Sequence, residues 1–196
     1  MSTRALYTFK SINSDPYGQD WNVYKHHDCY PSGAAQVLRN ALDYFAWPLP
    51  RFEADEAAAA FIAAGKAVYL IDLHRALKQK KSTTKARVFL EGEFAFHGGG
   101  VRLMPQGNPS EVARANCSDI EWRYELFMGL GGKKLLIRAI RGNWWHEGLE
   151  ATRDEEVVFY GPFEDFEAVA KRLDAGEKFA SADVRAIHAE RKASAA

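Results

Sequence analysis

Within ten residues, Tyr24 to Gly33, the chain gathers a phenol (Tyr24), two imidazoles (His26, His27), a carboxylate (Asp28), a second phenol (Tyr30), a hydroxyl (Ser32) and a glycine (Gly33). Read as a strand that stops at Pro31 and opens into a helix, the segment places Tyr24, His26 and Asp28 on one face by alternation. Val23, Lys25 and His27 fall on the other. A phenol, an imidazole and a carboxylate side by side can bind a polar ligand, position a general base or contribute to a metal site, because histidine titrates near neutrality and a carboxylate can orient it. The strand-to-helix junction adds free backbone N–H groups around Gly33 to Gln36, which suit an anion, with the Ser32 hydroxyl beside them. The same residue types also make a structural turn, with Asp28 bonded to turn amides and Tyr30 packed on Pro31. Both readings stay open on the residues alone.

A second cluster, Trp144-Trp145-His146-Glu147, follows Arg141-Gly142-Asn143 at the end of an expected strand. It suits stacking on a base or gripping a partner protein, and it equally suits covering the open end of a sheet. His97-Gly98-Gly99-Gly100 lacks the Lys-Ser/Thr of a P-loop and the spacing of a dinucleotide fingerprint. Arg75 to Arg87 holds six basic residues and no acidic one, a run that can touch phosphates or simply be solvated. No H-E-x-x-H, C-x-x-C or G-x-S-x-G occurs, so no metal, no cofactor and no serine-hydrolase triad is indicated. Cys29 and Cys117 read as free thiols.

The elements that must position these groups follow from periodicity. Ala5, Tyr7 and Phe9 alternate with Leu6 and Thr8, which predicts a first strand with one face buried. After a turn containing Asn13, Pro16 and Gly18, Trp21 to Lys25 returns as its hairpin partner. Val37, Leu38, Ala41, Leu42 and Phe45 recur at helical spacing and predict a helix over 34–45 with Ser32 or Gly33 near its cap. A second helix is expected over 53–64, and a half-buried hairpin over 120–126 and 134–140. A short strand at 157–160 then leads into a helix over 163–173. Short strands at 88–96 and 101–104 and a terminal helix at 181–191 complete the expectation. Together these define an α+β fold, a mainly antiparallel sheet with helices packed on one face. Residues 1–176 form a single domain, 66–96 read as an insertion, and 177–196 as a C-terminal helix or flexible tail.

The chain has 196 residues, of which 47% are hydrophobic and 27% charged, enough for a substantial core. Its 26 basic residues balance its 26 acidic ones, which removes any whole-chain argument for nucleic acid as an obligatory partner. Neither a signal-peptide core nor the roughly 18 consecutive apolar residues of a membrane helix occurs, so a cytoplasmic location is expected.

Thr3-Arg4-Ala5 followed by Tyr24-Lys25-His26-His27-Asp28-Cys29-Tyr30-Pro31-Ser32-Gly33 resembles a group of small, functionally uncharacterised bacterial and prophage proteins. Their shared pattern is T-R-[AS], then Y-x-x-x-D-G-Y-P-x-G. The likeness covers mainly residues 1–45, with fainter echoes in Phe52 to Gly65, Gly98 to Met104 and Asp119 to Leu126. Cys29 stands where that pattern has Gly, so a turn expected to need positive φ there must accept a side chain. The resemblance implies a mobile-element origin. It directs the leading expectation to a cytoplasmic binding protein that associates with a protein or a small anionic ligand, as an inhibitor of a bacterial defence system. The alternative is an enzyme on a phosphorylated or nucleotide-like substrate, with Ser32 and Gly33 amides holding the anion and His26 and Asp28 moving protons.

Overall fold

The computed structural model describes residues 3–11, 19–45, 53–67, 100–104, 120–128, 134–142 and 156–177. In chain order the elements are β1 (Ala5–Phe9), β2 (Trp21–Lys25), α1 (Pro31–Tyr44), α2 (Ala54–Lys66), β3 (Arg102–Leu103), β4 (Trp122–Met128), β5 (Leu135–Arg141), β6 (Glu156–Pro162) and α3 (Phe163–Asp174). The fold is α+β: among the described residues six strands in the order β3-β2-β1-β4-β5-β6 form one mostly antiparallel sheet, with three helices packed against it. The expected strand at 88–96 and the expected helix at 181–191 lie outside the described residues.

β1 and β4 form the centre of the sheet and are its parallel pair, Ala5 opposite Trp122 and Phe9 opposite Leu126. All five residues of β1 are buried. The expectation of one buried face is therefore corrected for β1 and for β4, because central strands carry neighbours on both sides and both of their faces are covered. Ala5, Tyr7 and Phe9 face the helices. Tyr7 lies 4.3 Å from the Phe61 ring of α2 and 5.0 Å from Tyr124 of β4, and Phe166 of α3 closes on Tyr124 at 5.9 Å. Burying each such ring stabilises the fold by about 1.5–3 kcal/mol, so these rings are the main cement between helices and sheet. α1 lies between α2 and α3. Arg39 ties it to α3 through two bonds to Glu167 at 3.1 and 2.7 Å, while stacking over Phe163 at 5.0 Å.

The other face of the sheet carries a polar row. Thr8 donates to Asn22 at 2.8 Å, Arg123 and Arg138 each reach Glu125 at 3.1 Å, and Arg138 lies over Tyr160 at 5.7 Å. Arg123 and Glu125 are only 5% and 4% exposed, so the 120–126 strand is not half-buried as its alternation suggested. Buried charges on β4 are tolerated because they neutralise one another across β4 and β5.

Candidate functional site

β2 ends at Lys25, and five residues take the chain from there into α1. The Lys25 ammonium donates to the carbonyl of His27, which curls the chain back on itself. Asp28 then adopts φ 52°, a left-handed conformation that Asp tolerates better than most residues. The positive φ falls here and not at Cys29, which corrects the expectation drawn from the Gly of the resembling pattern. With the reversal made at Asp28, Cys29 turns its side chain into the core. Its thiol lies 3.2 Å from the carbonyls of Lys25 and His27, and the Tyr124 hydroxyl donates to its own carbonyl at 2.7 Å. Burial pushes the thiol from the usual 9.0 up to about 12, against the opposing pull of the Lys25 charge. Burial also holds the phenols of Tyr7 and Tyr124 well above their ordinary value, and the nearby Cys29 adds to the effect.

α1 begins at Pro31, with Tyr30 as its N-cap, three residues ahead of the expected start. Proline suits the first helical position because its missing N–H would have had no intrahelical partner. The Ser32 amide is not open to a ligand as expected: it donates to the carboxylate of Asp174, at the end of α3, at 3.1 Å. Gly33 serves close approach. A Cβ there would stand 2.2 Å from the Asp28 carbonyl oxygen, so a side chain at position 33 collides with the backbone of the turn.

Away from the helices, the end of β2 assembles a different set of groups. The Tyr24 hydroxyl lies 2.9 Å from Nδ1 of His26, and Arg4 Nε–H donates to the same nitrogen at 3.3 Å. A guanidinium N–H can only donate, so Nδ1 is the acceptor and the ring proton sits on Nε2. Arg102 of β3, opposite Tyr24 in register, lays its guanidinium over the Tyr24 ring at 4.7 Å. His27 meets the His26 ring edge-on at 4.3 Å. Gly100, with φ 58°, brings its backbone against His26, where a Cβ would stand 2.7 Å from the His26 Cβ.

Of the residues singled out from the sequence, the structure joins Tyr24 to His26. It does not join Asp28 to them: the strand ends before it, its left-handed turn breaks the alternation, and its Cβ lies beside Gly33 at the start of α1. Tyr30 is exposed at the cap. Trp144, Trp145 and His146, the basic run at 75–87 and Cys117 lie outside the described residues. Sequence reasoning missed Arg4, Arg102, Gly100 and Asp174. Arg4 carried a signal, since alternation sets it on the face of Leu6 and Thr8; the others meet the site only through long-range contacts. Among the described residues no group of three or more His, Cys, Asp or Glu could hold a metal ion, and no helix is long and apolar enough to cross a membrane. No family model, curated protein or solved structure gives a significant match to this chain.

Proposed function

We propose that this protein acts by association, binding a partner protein or a small anionic ligand through the Arg4–Tyr24–His26–Arg102 cluster at the end of β2. The observation that carries the reading is the commitment of His26 Nδ1 to Tyr24 and Arg4 while Asp28 stands apart in its left-handed turn. Proton transfer by a His26–Asp28 pair needs the two within hydrogen-bond reach, and an imidazole oriented by a phenol and a guanidinium is better suited to recognition than to acting as a base. The exposed Arg102 on a tyrosine ring adds the residue types that anchor interfaces. The resemblance of residues 24–33 to bacterial and prophage proteins supports the narrower form of the proposal, a cytoplasmic inhibitor of a bacterial defence system encoded by a mobile element.

The test compares tagged wild type with His26→Ala in capture from a bacterial lysate. A half-buried residue at a strand end contributes about 1–2 kcal/mol to stability, whereas truncating a recognition anchor costs 2 kcal/mol or more in binding. The expected result is a captured species that falls by about tenfold or more in His26→Ala, with a melting temperature within a few degrees of wild type. Unchanged capture, or capture that falls only in proportion to the folded fraction, would overturn the proposal.

A further inference from the structure

We draw no further inference here: the strongest candidate, the surface patch that Phe127 of β4, Arg138 of β5 and Tyr160 of β6 form on the face of the sheet away from the helices, has its arginine already paired with Glu125, and nothing in the structure shows what covers it.

Discussion

On the helix side of the connection from β2 to α1, Lys25, Cys29 and Tyr124 direct their polar atoms at backbone carbonyls of the turn. On the opposite side, Tyr24 and Arg4 both bond to His26, and Arg102 meets a ring face. The first set fixes the path of the chain and is buried. The second leaves that path alone and ends at an exposed arginine. One short connection thus separates its groups by face: the buried set inside holds the turn, and the set outside ends at the exposed Arg102, the side to which the proposed association is assigned. A substitution can therefore be sorted in advance by the side it falls on.

The largest effect should come from ionising the inner side. Cys29 has a folded-state value of about 12 against an ordinary 9.0, so the folded protein holds the thiol proton more tightly than the unfolded chain does. The stabilisation is then complete below about pH 9 and is lost as pH rises from there toward 12. Tyr7 and Tyr124, both shifted upward, act in the same direction. Denaturant midpoints measured across this range should fall by an amount worth several kcal/mol, and Cys29→Ser should flatten the slope. In the same buffers at pH 8, iodoacetamide should leave Cys29 unmodified until denaturant is added. Ready labelling of the folded protein would dissolve the contrast between the two sides.

Next in size is Gly33→Ala. A Cβ at 2.2 Å from the Asp28 carbonyl forces the turn or the first turn of α1 to move, at a cost of about 3 kcal/mol, or roughly 6–12 °C in melting temperature for a chain of this size. A shift under 2 °C would mean that the turn is not held from inside. The smallest effects belong to Asp28 itself. Asp28→Val should cost about 1–2 kcal/mol because a β-branched residue resists φ 52°, while Asp28→Gly should stay within about 0.5 kcal/mol. If calorimetry finds both equally damaging, the carboxylate matters more than the backbone, and the sorting by side needs revision.

Much of the fold was legible in period-two and helical spacing. The strands at Ala5–Phe9 and Trp21–Lys25 and the helix from Phe163 stand where alternation and apolar stripes put them. The start of α1 was displaced because its apolar stripe begins at Ala34, whereas the helix opens on Pro31, a residue whose local signal is to stop a strand. At the site, Tyr24 and His26 share a face two residues apart, so short-range alternation was enough to pair them. Asp28 broke that alternation through one backbone angle, which no side-chain pattern announces. Arg102 joins through the register of a two-residue strand far along the chain, and Asp174 reaches Ser32 across 142 positions. Contacts of that kind are decided by tertiary packing, and local periodicity is blind to them.

The parallel pairing of β1 with β4 also orders events in time. During synthesis β1 can find β2 almost at once, since both emerge within the first 25 residues, but its other edge stays open until residue 126 has left the ribosome. Until then the most buried strand of the finished protein is an unpaired edge bearing Leu6, Tyr7 and Phe9, a surface prone to capture by other chains. Refolding in vitro should accordingly be limited by that long-range closure, on the millisecond-to-second scale of non-local sheets. In the cell, the nascent chain would need shelter for as long as the interval between its first strand and its fourth.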